Sequence, residues 1–168
     1  MLATVTPEEI RHTLSHFATG VTVITSLRED GRPVGMTASA VSSLSLDPPL
    51  LLVCLKRNST TLAAIQGHGG LAVNILAASQ RELSAHFARG GGSASWDEVG
   101  HSLGARGLPV LHGALATIEC ELERCLDGGD HQVVIARMHA LDVSEVGLEP
   151  LLHFRGAYAA LNSQALVS

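Results

Sequence analysis

From Ala116 to Glu123 apolar and polar side chains alternate without a break, Ala116, Ile118, Cys120 and Leu122 on one parity and Thr117, Glu119, Glu121 and Glu123 on the other. A period of two places these sets on opposite faces of an extended chain, so the spacing predicts a strand with one buried and one wet face. Asp127-Gly128-Gly129-Asp130 supplies a turn into a second long strand, His131 to Val143. Within it His131 shares a face with Val133, Ile135, Arg137 and His139, while Val134, Ala136, Met138 and Ala140 face the other way.

The same reading predicts the other strands. Val21 to Ser26 is rich in β-branched residues, and the turn Arg28-Glu29-Asp30-Gly31 folds it antiparallel onto a strand spanning Gly35 to Val41. After Asp47-Pro48-Pro49, the run Leu50 to Leu55 predicts a strand buried on both faces. Leu71 to Leu76 follows the glycine turn at Gly67 to Gly70, and Leu151 to Tyr158, introduced by Glu149-Pro150, is the last strand. Leu103 to Leu111 is expected as an extended connection and Arg89 to Ser95, rich in glycine, as a loop.

Three short helices are expected. Thr6-Pro7-Glu8-Glu9 carries a capping box, with Ile10, Leu14 and Phe17 on one face and Gly20 as terminator. Ser59 or Thr60 caps a helix holding Leu62, Ala63 and Ile65, and Ser79 with Glu82 opens one that runs to about Ala88. The expected class is mainly β: a closed or split antiparallel barrel of Greek-key type with short flanking helices.

Composition narrows the function classes. At 168 residues, with 46% hydrophobic and 16% charged residues, the chain holds a single domain over 1–168 with a substantial core. A mean hydropathy of +0.26 without a membrane segment points to apolar surface covered by a second subunit, hence a homodimer. The net charge of −5, unclustered basic residues and 3% aromatics argue against nucleic acid. No stretch reaches the ~18 apolar residues of a spanning helix. The opening MLATVTPEEI lacks a signal peptide's basic and apolar regions, so no membrane role is expected and the cytoplasm is the expected compartment. The three cysteines, Cys54, Cys120 and Cys125, form neither a disulfide framework nor a zinc pattern. His12 and His16 have metal-pair spacing without the glutamate of a zinc helix, and read as solvent-facing.

The chemistry concentrates in Gly35 to Leu55, GMTASAVSSLSLDPPLLLVCL. Its small and hydroxyl-bearing residues admit a flat, polar-edged ligand; equally they describe two buried strands whose serines satisfy local backbone groups. Lys56-Arg57 beside Ser59 and Thr60 at a helix start suits a phosphate, or is an ordinary solvated loop. No GxGxxG fingerprint, triad or carboxylate pair is present.

In order along the chain, that stretch, Ala72-Val73-Asn74-Ile75-Leu76, Gly129-Asp130-His131 and Leu152-His153-Phe154-Arg155-Gly156 resemble the flavin reductase-like domain family, over a core of about Phe17 to Tyr158. The resemblance implies a split-barrel homodimer that reduces FMN or FAD with NADH or NADPH and supplies reduced flavin to a separate monooxygenase. It implies that Thr37, Ala38, Ser39, Ser42 and Ser43 border the flavin ring and ribityl chain and that Val53 and Cys54 add backbone contacts. Lys56, Ser59 and Thr60 would reach the phosphate, and Asn74 with Ile75 would lie against the cofactor. His86, Phe87 and Arg89 would lie near the flavin. His131 is the residue assigned to catalysis, orienting the nicotinamide; Phe154, Arg155 and Gly156 would complete that pocket. Two other readings stay open: a non-enzymatic flavin- or haem-binding barrel, and a pyridoxamine phosphate oxidase-like flavoenzyme.

Overall fold

Turn chemistry, strand alternation and helix caps resolve into a mainly antiparallel β structure. The computed structural model describes residues 5–89, 94–144 and 147–161. In order, the elements are α1 (Pro7–Leu14), β1 (Thr19–Gly20), β2 (Thr22–Leu27), β3 (Pro33–Ala38), β4 (Val41–Leu46), β5 (Pro49–Lys56), α2 (Thr60–His68) and β6 (Gly70–Ile75). A 3-10 turn at Ala78–Gln80 leads into α3 (Arg81–Arg89). Then come β7 (His101–Leu103), β8 (Pro109–Leu111), β9 (Ala116–Gly128), β10 (His131–Val143), β11 (Leu152–Phe154) and β12 (Ala157–Ala159).

Seven strands form one sheet in the order β3-β2-β6-β9-β10-β5-β4, with every pairing antiparallel. That order forces curvature. The two edges, β3 and β4, are joined only through Ser39 and Ala40, a link that spans at most about 11 Å. In a flat sheet they would stand about 29 Å apart. The sheet therefore curls until its edges approach, and the main-chain N–H of Cys54 donates to Ala40 O at 2.9 Å beside the corner. Inside the curl, Ile24 of β2 packs in one cluster with Leu51, Val53 and Leu55 of β5, Leu71 and Val73 of β6, Cys120, Val134 and Ala136. Leu62 and Ile65 of α2 belong to the same cluster. A second cluster, Val21, Val23, Leu76, Phe87, Leu111 and Leu151, packs outside it, which is why β2 is buried on both faces.

Several expectations need correction. The predicted strand over Gly35 to Val41 is two strands, because the chain turns at Ser39-Ala40 from one edge of the sheet to the other. The helix that Gly20 was expected to close ends at Leu14; Gly20 instead pairs with Leu152 in a small sheet of β1, β11 and β12. The capping box at Thr6 and Glu9 forms, yet Ile10, Leu14 and Phe17 stay exposed and α1 buries nothing. In β5, Leu52 and Cys54 are half-buried rather than enclosed. Ser79 with Glu82 does not cap the third helix; Gln80 Oε1 accepts from the Ala77 N–H at 3.0 Å. Leu103 to Leu111 is not a plain connection, since β7 and β8 pair as a hairpin. Leu151 to Tyr158 is likewise a hairpin, turning at Arg155-Gly156 with φ of 51° and 77°.

Glu119, expected on the wet face of β9, is buried. Its Oε2 accepts the main-chain N–H groups of Arg106 at 2.9 Å and Leu108 at 3.4 Å, so the carboxylate anchors the β7–β8 loop. Burial, and then the neighbouring Glu119 charge, push the Cys120 thiol up to about 12. Gly90 to Ser93, within the loop expected at Arg89 to Ser95, lie outside the described residues. No helix among the described residues is long and apolar enough to cross a membrane.

Candidate functional site

The corner at Ser39, the end of β5, the start of α2, α3 and the closing hairpin meet around a cavity of about 520 Å³. β3 contributes Met36 and Thr37, and the corner contributes Ser39. Lys56, Asn58 and Ser59 line it from the β5–α2 junction, Ser84 and Ala88 from α3, and His153 and Tyr158 from β11 and β12.

The hydroxyls have defined polarities. Ser59 is the N-cap of α2, and its Oγ accepts the Leu62 N–H at 3.1 Å, so its own O–H remains available to donate. With the Lys56 ammonium and the positive end of the α2 dipole, this corner favours an anion. Thr37 behaves in the opposite way. Its O–H donates to Ser84 O at 2.6 Å, so it offers lone pairs to the cavity. Tyr158 donates its O–H to Ser84 Oγ at 2.9 Å, and the Arg81 guanidinium sits over the Tyr158 ring at 5.1 Å. One end of the cavity thus donates to anions, while a wall of small side chains carries acceptors.

Of the residues expected at the site, Thr37, Ser39, Lys56 and Ser59 come together in this cavity. His131 is not among its lining residues, but it is the register partner of Lys56, so the two side chains leave the same face of the sheet as neighbours. His131 Nδ1 lies 2.7 Å from Asp130 Oδ1, a contact in which the imidazole N–H donates and Nε2 is left free of that bond. This hydrogen bond, then the His131 charge, holds the Asp130 carboxyl below the ordinary carboxylate range, and Lys56 adds to the effect.

The other expected residues lie elsewhere. Ala38 O accepts the Thr22 hydroxyl, and Val53 is in the core. Ser42 and Ser43 are exposed on β4, where the Ser42 O–H donates to Ser43 O. Thr60 lines a separate hollow with Arg28 and Asp30. Asn74 is spent inside the fold: its Nδ2 donates to Val23 O and Thr25 Oγ1, both at 3.1 Å, and its Oδ1 accepts the Leu111 N–H at 2.8 Å. Ile75 lines an apolar groove with Phe17, Val41 and Ile118 that shares Ser39 with the main cavity. His86 and Arg89 border a hollow on the far side of α3, and Phe87 is fully buried against Trp96.

Phe154, Arg155 and Gly156 form the hairpin tip, where the Arg155 N–H donates to Ser15 O at 2.7 Å and the guanidinium covers the Phe154 ring. His153 and Tyr158 face the cavity instead. They are register partners across the hairpin and so share a face, a parity hidden when the segment is read as one strand. Met36, Asn58, Ser84, Ala88, His153 and Tyr158 are lining residues that sequence reasoning missed. Ser84 and Ala88, small residues one helical turn apart, were the available signal on α3.

The family model for the flavin reductase like domain matches residues 14–162. The chain belongs to the flavin reductase-like domain family. Among relatives it is 40% identical over 165 residues to the flavin-dependent monooxygenase reductase subunit HsaB of Rhodococcus jostii, covering 96% of this chain and 81% of that one. It is 40% identical over 142 residues to a flavin reductase (NADH) of Kitasatospora aureofaciens, 84% of this chain and 74% of that one. A Rhizobium meliloti relative named "Probable flavin reductase" is 38% identical over 90% of this chain, which spans only 48% of that longer protein. Among solved structures, nitrilotriacetate monooxygenase component B from Mycobacterium thermoresistibile superposes with a TM-score of 0.89 at 36% identity, covering 96% and 89% of the two chains. This family member thus shares most of its length with a flavin-dependent monooxygenase reductase subunit and its fold with component B of a nitrilotriacetate monooxygenase.

Proposed function

We propose that this chain is a flavin reductase that uses NADH or NADPH to reduce FMN or FAD and passes the reduced flavin to a separate monooxygenase. We further propose that it is a single split-barrel domain working as a cytoplasmic homodimer. The observation that carries the reading is the polarity of the 520 Å³ cavity, with an anion corner at one end and an acceptor-bearing wall of small residues leading from it. A flavin matches this arrangement: phosphate at one end, and a flat ring with N–H and carbonyl groups along one edge. Bound flavin supplies the redox chemistry, accepting hydride from the nicotinamide.

The chain's own residues bind and orient. Lys56 and the Ser59 O–H meet the phosphate, and the α2 N-terminus adds its dipole. Thr37 accepts from a ring-edge N–H, held in that role by its bond to Ser84 O. Small side chains at Ser39 and Ala88 leave room for a flat ring. His131, placed beside Lys56, orients the nicotinamide and moves no proton, because hydride transfer needs no general base. Two exposed apolar regions support the dimer: the groove at Phe17, Val41 and Ile118, and Leu141 with Val143 at the end of β10. The sheet order, with facing edges joined at one corner, supports the split barrel.

Anaerobic stopped-flow absorbance at the oxidised flavin band, mixing protein and excess FMN or FAD with NADH and then NADPH, tests the reading. Catalytic bleaching of the excess flavin is the expected outcome, and the fastest pair identifies both partners. Bleaching that stops at one equivalent would mean a tightly held flavin with another acceptor. Flavin binding without bleaching would overturn the enzymatic reading.

A further inference from the structure

Lys56 and Arg57 read in the sequence as a basic pair for one phosphate, yet the fold turns them apart. Lys56 lines the cavity. Arg57 reaches to the turn between β9 and β10: its Nε donates to Gly129 O at 2.6 Å and its guanidinium lies 3.0 Å from Asp127 Oδ1. Its main-chain N–H donates to Asp130 O at 3.2 Å. One residue thus holds three residues, Asp127, Gly129 and Asp130, at the end of β9 and in the turn before His131.

We propose that Arg57 is a positioning residue, clamping the end of β9 and the Gly129-Asp130 turn so that His131 is presented beside Lys56 toward the nicotinamide. The turn is Gly129-Asp130, and a clamp on it matters because Gly129, at a φ of 74°, is the most permissive residue the backbone can hold there. His131 is the first residue after it, and its ring is oriented by Asp130 within the same turn. A guanidinium suits the task, because its planar fork satisfies a carbonyl and a carboxylate together. The partly exposed ion pair with Asp127 contributes little alone. The Nε bond to Gly129 O is the side-chain restraint, because the main-chain bond to Asp130 O is one that any residue at this position supplies. The anion corner and the His131 turn are thereby fixed to one another through adjacent residues of the β5–α2 junction.

The inference rests on the reading of His131 as the nicotinamide-orienting residue, and the test separates the two. Arg57→Ala, Arg57→Lys, His131→Ala and the Arg57→Ala/His131→Ala pair are compared by calorimetric titration with NAD+, flavin fluorescence quenching and steady-state kinetics with NADH. Arg57→Ala is expected to weaken NAD+ and raise KM for NADH by about tenfold, with flavin affinity within about threefold. Arg57→Lys should fall between Arg57→Ala and the parent, since it keeps the charge and loses the fork. The double variant should be no worse than the stronger single variant by more than about twofold, because both act through one group. Independent, multiplicative effects, or a loss confined to flavin binding, would overturn the clamp while leaving His131 in place. A silent His131→Ala would overturn the reading of His131 and with it the clamp.

Discussion

The strip from Thr37 to Ser43 looks uniform in sequence, and the fold divides it into two regions with different fates. Thr37 and Ser39, on β3 and at the corner, face the cavity; Ser42 and Ser43, on β4, stand exposed at the opposite edge of the sheet. Residue type is the same on both sides of the corner. What differs is the direction of the backbone, and hence whether a hydroxyl meets a ligand-sized space or solvent.

The largest effect that would break this comparison belongs to the anion corner at the inner end. Lys56→Ala combined with Ser59→Ala removes two charge-assisted bonds and should weaken FMN by roughly thirtyfold or more while changing riboflavin by less than about threefold. Equal weakening, read by fluorescence quenching, would move the phosphate elsewhere. Next is Gly35, which supports the inner half from behind. A Cβ there would lie 3.1 Å from the buried Phe87 ring, 3.2 Å from Trp96 and 3.3 Å from Ile24 O, so Gly35→Val should cost about 2 kcal/mol in a denaturant melt. Thr37→Val removes one acceptor from the cavity wall, with an expected loss in flavin affinity of about fivefold; Ser84 O, inside α3, keeps its helical partner. Smallest is the outer half: Ser42→Ala with Ser43→Ala should leave stability within about 0.5 kcal/mol and flavin affinity unchanged. An effect as large as that of Thr37→Val would show that β4 also faces the ligand.

The long antiparallel pairs were legible because alternation and Asp-Gly or Gly-Gly turns are local signals; β2 with β3 and β9 with β10 form as read. The corner at Ser39-Ala40 was not, since small residues that continue a strand and small residues that turn between edges look alike until the sheet order is known. The closing hairpin failed for a related reason. Arg155 adopts a positive φ that a non-glycine residue seldom takes, so the turn gave no warning and the parity of His153 and Tyr158 was lost. Asn74 shows the converse limit: a polar residue in a strand resembles a ligand contact, yet its partners Val23, Thr25 and Leu111 are recognisable only from tertiary proximity. At the anion corner, the helix cap at Ser59 was readable and the diversion of Arg57 was not, for the same reason.

The setting of Cys120 bears on survival as well as on packing. Reduced flavin released into aerated solution reacts with oxygen to give peroxide, and peroxide attacks thiolates far faster than thiols. A cysteine buried beside a fixed carboxylate is held in its protonated, unreactive form, so its position resists the oxidant that leakage of the proposed product would generate. Mass spectrometry after peroxide treatment should find Cys120 unmodified in the folded protein and oxidised once the chain is unfolded.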